Sequence, residues 1–251
     1  MAASSWQLDG STARLHCGRA QILVDLDRPA AGLHDIRWTA EQFERAALLG
    51  VVLPSDAPLG APARLESYVR DDDLVATYSA SKSCPLQVQV YWRSVKAEGA
   101  LSGAVIVDLQ VSVQTHLLDA RPHVKTCSMW PQVDVLQMTD FEHSRWQPLD
   151  ARTISKGSAR SIHRPHCLIA RPPGKAWSYV EMTHPADVAQ SSLEHSGAVL
   201  TLKHVLFGDE LEKGVILRGR VRGVFTDRAR DTAVAVAAYA DLLAAPLPLT
   251  A

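Results

Sequence analysis

Residues 211–225 have the sequence LEKGVILRGRVRGVF, in which two kinds of side chain alternate. The apolar set and the basic set fall on opposite parities: Val215, Leu217, Val221 and Phe225 on one, Arg218, Arg220 and Arg222 on the other. Successive side chains of a β-strand point to opposite faces, so the stretch predicts a strand with a buried apolar side. Its other side carries the arginine row, the name used below for Arg218, Arg220 and Arg222. Such a strand indicates a sheet with one face suited to a polar or anionic ligand.

The same alternation recurs through most of the chain and is longest in residues 86–93 and 103–116. On the polar side of the first run lie Gln87, Gln89, Tyr91 and Arg93. On the polar side of the second lie Asp108, Gln110, Ser112, Gln114 and His116. Counting all such runs predicts about twelve to fourteen strands. We expect the arginine strand to lie beside the run at 199–207.

Two stretches favour helices. Residues 39–42 form a capping-box pattern before FERAALLG, which predicts a short helix closed by Gly50. After the arginine strand, Thr226 or Asp227 is placed to cap a helix over about residues 228–244. Its predicted apolar stripe is Ala233, Val236, Ala237, Ala240 and Leu243.

The fold class predicted from these elements is mainly β. Many strands with no alternating βαβ order favour a large antiparallel two-sheet sandwich, of the supersandwich kind, with a C-terminal α-helix. A length of 251 residues without an internal repeat or a low-complexity linker favours one domain over residues 1–251.

Composition excludes several classes of protein. Hydrophobic residues make up 47% and charged residues 21%, which is typical of a globular chain. A net charge of −1 without an aromatic stacking motif disfavours nucleic-acid binding, and no apolar run approaches the length of a membrane-spanning helix. Cys17, Cys84, Cys127 and Cys167 form no CxxC pair and are expected to be buried free thiols. We therefore expect a cytoplasmic protein.

Sequence motifs for cofactor chemistry are also missing. The chain has no P-loop, no dinucleotide-binding glycine run and no G-x-S-x-G motif, so we expect no cofactor. His163 and His166 lie near Cys167, but the spacing is not that of a metal site, and we expect no metal.

The polar rows have two explanations that the sequence leaves open. An antiparallel sheet commonly exposes one face to water, which requires no ligand. The rows are, however, richer in Gln, Tyr, His and Arg than in Lys and Glu, and such groups suit hydroxyl-rich or carboxylate ligands. The arginine row likewise needs either an internal ion-pair network, with Asp108, Glu181 and Glu194 as partners, or a bound anion.

Candidate catalytic residues follow from a carboxylate and imidazoles near strand ends. Glu181 and His184 end one predicted strand, and His116 ends another. A carboxylate base paired with an imidazole acid is suited to proton transfer on a sugar. A structural histidine remains the alternative for His116 and His184 taken singly.

The long alternating strands, the stretch GAVLTLKHVLFGDELEKGVILRGRVRGVF at 197–225 and the closing helix together resemble galactose mutarotase-like supersandwich proteins. That superfamily includes aldose 1-epimerases, hexose-phosphate epimerases and sugar-binding domains of polysaccharide-processing enzymes. The resemblance implies a two-sheet fold with a carbohydrate cleft on a concave face. The family motif of a histidine between Asn and an aromatic-Phe-Asn run is absent, as is a match to its late glutamate, so no family catalytic residue is carried over.

Two functional hypotheses follow. In the first, the polar face binds a carbohydrate or sugar acid through Arg93, Arg218, Arg220 and Arg222. An enzyme of this kind would be a cofactor-independent sugar epimerase, with His116 or His184 as acid and Glu181 as base. In the second, the chain is a non-catalytic structural or assembly protein that forms homo-oligomers through exposed sheet faces.

Overall fold

The computed structural model describes residues 5–53, 63–82, 84–122, 124–150, 153–154, 158–163, 166–208 and 210–246. These residues contain two large antiparallel sheets, a two-stranded ribbon and one α-helix. The predicted mainly β sandwich with a C-terminal helix is therefore confirmed. The described strands number 21, more than predicted, because several short pairings have only two or three residues.

The first sheet has ten strands, nine of them in one continuous path. In spatial order these are β1 (Trp6–Asp9), β2 (Thr12–Cys17), β3 (Ala20–Asp25), β4 (Leu33–Trp38), β6 (Ala47–Val52), β12 (Lys125–Pro131), β19 (Val199–Leu206), β18 (Val188–Ser196) and β15 (Ala159–Ser161). The tenth strand, β5 (Glu41–Phe43), pairs with β4 off this path.

The second sheet has nine strands and carries the arginine row. In spatial order these are β14 (Arg145–Leu149), β13 (Asp134–Asp140), β16 (Cys167–Arg171), β17 (Trp177–Thr183), β21 (Ile216–Asp227), β10 (Val105–Thr115), β9 (Leu86–Val95), β8 (Asp73–Tyr78) and β7 (Arg64–Arg70). The ribbon consists of β11 (Asp119–Ala120) and β20 (Leu211–Glu212).

Strand β21 has the two faces that its alternation predicts. Val221 and Phe225 are fully buried in the core between the sheets, and Leu217 packs against that core. The arginine row points to the other side. The expected pairing with residues 199–207 is wrong, because β21 lies between β10 and β17 while β19 belongs to the opposite sheet.

The outer side of the second sheet is partly covered by α1 (Asp231–Ala244). Helix residues Val234, Ala238 and Leu242 share a second apolar core with sheet residues such as Val224 and Met182. The predicted stripe is displaced by about one position, since the buried helix residues are Asp231, Val234, Ala235, Ala238, Tyr239 and Leu242. The alanine-rich sequence distinguishes its faces weakly, and the large Tyr239 ring decides which face is buried.

The helix predicted at 39–50 is wrong, because this segment forms β5 and β6 instead. Thr39 and Arg45 have φ angles of 57° and 59°, which a right-handed helix does not allow. Gly50 does not close a helix either. A Cβ atom at this position would lie 2.3 Å from the carbonyl oxygen of Ala30, so Gly50 permits two backbone segments to approach closely.

Candidate functional site

Two members of the arginine row are held in buried ion pairs. Arg222 donates from Nε and Nη2 to both oxygens of Asp108, at 2.7 and 2.9 Å, and from Nη1 to Asp241 of α1 at 2.6 Å. Burial disfavours its charge, but these contacts outweigh burial and raise the pKa of Arg222. Arg220 donates from Nε to Asp187 Oδ2 at 2.8 Å and from Nη1 to the carbonyl oxygen of Pro246.

Alternating charges continue from Arg222 across the second sheet. The register places Asp108 beside Arg93, Arg93 beside Asp73 and Asp73 beside Arg70. We call Arg70, Asp73, Arg93, Asp108 and Arg222 the charge row. Arg93 is partly exposed and donates twice to Asp73, at 2.6 and 2.9 Å, and this hydrogen bonding raises the pKa of Arg93. Opposite charges on neighbouring strands stabilise this pairing.

Arg218 differs from the rest of the arginine row. It forms no ion pair with the part of the chain that the structure describes, and its buried Nε has no hydrogen-bond partner there. On neighbouring β10, the buried Oε1 of Gln110 also lacks a described partner. Buried polar atoms normally have partners, so Arg218 is the member of the arginine row whose hydrogen bonds the described residues satisfy least.

Arg218 borders a pocket of about 620 Å³ between the ends of the two sheets. His184 and Asp187 supply its other polar side chains, while Phe207 and Leu217 supply apolar wall. We call it the His184–Arg218 pocket. Its size is in the range of small-molecule sites, and its mixture of apolar wall with few polar groups is typical of them.

The polar groups of this pocket supply both donors and acceptors. The His184 ring nitrogen Nδ1 accepts from the backbone N–H of Ala186 at 3.2 Å, which leaves Nε2 protonated in the neutral ring. Nδ1 also lies 3.8 Å from Asp187 Oδ1. Because Arg220 offsets the charge of Asp187, the guanidinium of Arg218 makes the pocket positive.

A pocket of about 680 Å³ at the opposite end of the sandwich is less suited to a ligand. Its Arg171 donates twice to Asp231 at 2.8 Å, and its Arg228 donates to the carbonyl oxygens of Pro172 and Lys175. Both guanidinium groups already have protein acceptors. The His184–Arg218 pocket is therefore the stronger candidate.

Glu181 lies in the interior between the sheets and is 1% exposed. Its Oε2 accepts hydrogen bonds from Tyr179 Oη at 2.7 Å and Ser128 Oγ at 2.5 Å, and its Oε1 is 3.2 Å from His204 Nε2. His204 Nδ1 is 2.7 Å from Ser191 Oγ. Since Ser128, Ser191 and His204 belong to the first sheet, this buried cluster joins the two sheets.

Cys127 is next to Ser128 of this cluster but lies on the other face of β12, where it is half-buried and opposite Lys203. Burial, together with the Glu181 carboxylate, raises the pKa of Cys127 to about 11. The thiolate is the reactive form, so we expect alkylation of folded Cys127 by iodoacetamide to be slow at pH 8 and to accelerate toward pH 11. In urea-unfolded protein the acceleration should occur near the ordinary thiol pKa of about 8.5. Peptide mass spectrometry measures both rates, and equal rates at pH 8 would contradict the raised pKa of Cys127.

The raised pKa of Cys127 also predicts how the stability of the protein depends on pH. The unfolded state loses the Cys127 proton at a lower pH than the folded state does, so the free energy of unfolding should fall as the pH rises from about 8.5 toward 11.

The structure brings only some of the predicted site residues together. His184, Arg218 and Arg220 meet around Asp187, and Arg93 and Arg222 belong to the charge row. His116 is exposed just beyond β10. Of the predicted charge partners, Asp108 is confirmed for Arg222, whereas Glu181 lies inside and Glu194 pairs with Lys203. The catalytic roles of His116, Glu181 and His184 stay predictions.

Sequence reasoning did not find three residues of these clusters: Asp187, Asp241 and His204. Asp187 follows a Pro-Ala turn and Asp241 lies on an alanine-rich helix, so no local pattern marks either residue. His204 lies on the inner parity of β19, and its place among apolar residues was the one available signal.

Among the described residues, no group of three or more His, Cys, Asp or Glu side chains is placed to bind a metal ion. In the same residues no helix has the length and apolarity needed to cross a membrane.

Neither a protein-family model nor a curated protein sequence matches the chain. Solved structures do. A TPR-domain containing protein from Parabacteroides distasonis aligns with a TM-score of 0.56 at 9% identity over 86% of this chain, which covers 47% of that protein. A candidate aldose 1-epimerase from Klebsiella pneumoniae aligns with a TM-score of 0.54 at 12% identity, over 98% of this chain and 90% of that one.

A GalM/aldose epimerase homologue from C. elegans aligns with a TM-score of 0.50 at 7% identity, over 84% of this chain and 96% of its own. At such identities the likeness concerns the fold and not the activity. The two large antiparallel sheets and these alignments agree with each other, and the chain has a galactose mutarotase-like fold.

Proposed function

We propose that this protein binds a carbohydrate or sugar acid in the His184–Arg218 pocket. The observation that carries the proposal is Arg218, whose guanidinium borders the pocket and lacks a carboxylate partner in the described residues. A guanidinium binds carboxylate oxygens with two parallel hydrogen bonds. His184 and Asp187 add a donor and acceptors suited to sugar hydroxyl groups. The aldose-epimerase-like neighbours support a sugar as the ligand.

Arg218→Met is expected to abolish binding of a sugar acid and to change the melting temperature of the unliganded protein little. The reason is that, within the described part of the chain, Arg218 has no ion partner whose charge the substitution would leave unpaired. Thermal-shift screening against uronates, neutral sugars and sugar phosphates identifies the ligand class, and calorimetry then measures affinity. Arg37→Met, at an exposed position of β4 in the other sheet, is the matched control and should bind normally. No thermal shift with any of these compounds would refute the proposal.

The proposal extends to catalysis as cofactor-independent epimerisation. His184 would supply the acid because it borders the pocket directly. The predicted base, Glu181, would need access that its present contacts with Ser128, Tyr179 and His204 do not provide. Exchange between sugar anomers, followed by NMR, tests for turnover independently of binding.

An assembly role is the second candidate, and one surface favours it. Leu117, Leu118, Val215 and Ile216 are exposed where the end of β10 meets the start of β21. The side chain of Leu118 is 84% exposed. If this surface joins two copies of the chain, Leu118→Ser should reduce the mass measured by light scattering. An assembly protein of this kind should also show no sugar-dependent thermal shift, with or without Arg218→Met.

A further inference from the structure

A second pocket, of about 770 Å³, adjoins the His184–Arg218 pocket. The two pockets share three lining residues, Ala189, Phe207 and Gly208. They are therefore contiguous parts of one cleft. Each part alone has the volume of a small-molecule site, and together they suit a longer ligand.

The passage between the two pockets is lined by small residues. Ala189 is the extra residue of a β-bulge in β18, because Val188 pairs with Leu206 while Gln190 pairs with the next residue, Val205. A Cβ atom at Gly208 would lie 3.2 Å from the Cβ of Ala189, so a larger side chain at either position would narrow the passage.

Phe207 is fixed at the same junction by an unusual backbone conformation. Its φ angle is 64°, which is rare for an aromatic residue and is found where the surrounding structure enforces it. The ring lies against Gly219 of β21, since a Cβ atom there would be in contact with Phe207 Cε1 at 3.4 Å. The ring therefore offers both pockets an apolar surface in a fixed position.

The charges of the two pockets differ. In the His184–Arg218 pocket, Arg220 offsets Asp187 and leaves Arg218 as the excess charge. In the second pocket, Arg121 and Glu210 pair with each other at 2.7 Å, and Gln190, Val205 and Pro122 carry no charge. The first pocket favours an anionic unit and the second a neutral one.

We infer that the ligand of this cleft is a saccharide of at least two units, with an acidic sugar in the His184–Arg218 pocket and a neutral sugar beside Gln190. Phe207 contacts the junction between the two units. This inference rests on the proposed function, because the acidic unit occupies the same pocket.

Calorimetry with three probes tests the inference: galacturonic acid, digalacturonic acid and a disaccharide of a uronic acid linked to a neutral hexose. We expect the mixed disaccharide to bind at least about tenfold more tightly than the monosaccharide, because it fills both pockets. Ala189→Leu should remove the advantage of the disaccharide over the monosaccharide, because the larger side chain closes the passage between the two pockets. Gln190→Ala, at an exposed side chain, should weaken only the disaccharide.

Ala240→Leu, at an exposed position of α1, is the control for adding a leucine and should leave every affinity unchanged. Two outcomes would overturn the two-unit cleft and leave the proposed function intact. The first is equal affinity for the monosaccharide and both disaccharides, and the second is an unchanged disaccharide affinity in both Ala189→Leu and Gln190→Ala. Tighter binding of digalacturonic acid than of the mixed disaccharide would overturn the neutral second unit. Failure of all three probes to bind folded protein would refute this inference and a sugar acid as ligand together.

Discussion

Arg222→Met is expected to lower the free energy of unfolding by about 3–5 kcal/mol. The substitution leaves the carboxylate of Asp108, which is 6% exposed, without its two hydrogen bonds from the guanidinium. A buried carboxylate that loses its partner keeps its desolvation penalty and no longer has the attraction that offsets it. Urea unfolding followed by circular dichroism measures the change.

Two further variants separate this cause from a general effect of removing a positive charge. Lys203→Met breaks the half-exposed pair with Glu194 and should cost less than about 1 kcal/mol. Arg222→Met combined with Asp108→Leu removes both buried charges and should recover most of the lost stability. If Arg222→Met costs no more than Lys203→Met, the ion pair does not have the stabilising role described above.

Glu181→Ala is expected to cost a similar amount, about 3–5 kcal/mol. The carboxylate accepts from Ser128 and Tyr179 and contacts His204, and all four side chains are nearly inaccessible to water. Its removal leaves these donors buried without their acceptor and opens a cavity between the sheets. Urea unfolding again measures the loss.

Tyr179→Phe is the matched control, because it removes one donor and leaves the carboxylate with the other two. It should cost only about 1 kcal/mol. The comparison also tests the predicted catalytic role of Glu181. A Glu181→Ala protein that is as stable as the unchanged chain but no longer acts on its ligand would contradict a structural role and favour the role of base.

The strands of the second sheet were predictable because their side chains alternate strictly. In β9, β10 and β21 the sequence alone predicts that every second side chain, the apolar one, is buried. The segment at 39–50 was mispredicted because a capping pattern has the same residues as a tight turn. The choice between them depended on the approach of Gly50 to Ala30, a tertiary contact.

The candidate site was less predictable than the fold. The sequence identified the arginine row and one of its partners, Asp108, because each lies on the polar face of a long alternating strand, whereas the register that pairs Asp108 with Arg222 appeared only in the structure. It did not identify Asp187 or Asp241, whose positions depend on a bulged strand end and on the docking of α1. For this reason it became visible only in the structure that Arg218 has no ion partner among the residues described there.

The position of β21 in the second sheet determines when that sheet is completed during synthesis. On one side lie β10, β9, β8 and β7, and on the other lie β17, β16, β13 and β14. Of the described strands, only β21 joins these two groups, so they stay separate until residues 216–227 leave the ribosome. Before that point each group has an unpaired strand edge where β21 will lie. Unpaired edges of partly folded chains are prone to aggregation. We expect the nascent chain to depend on chaperones until β21 inserts between them.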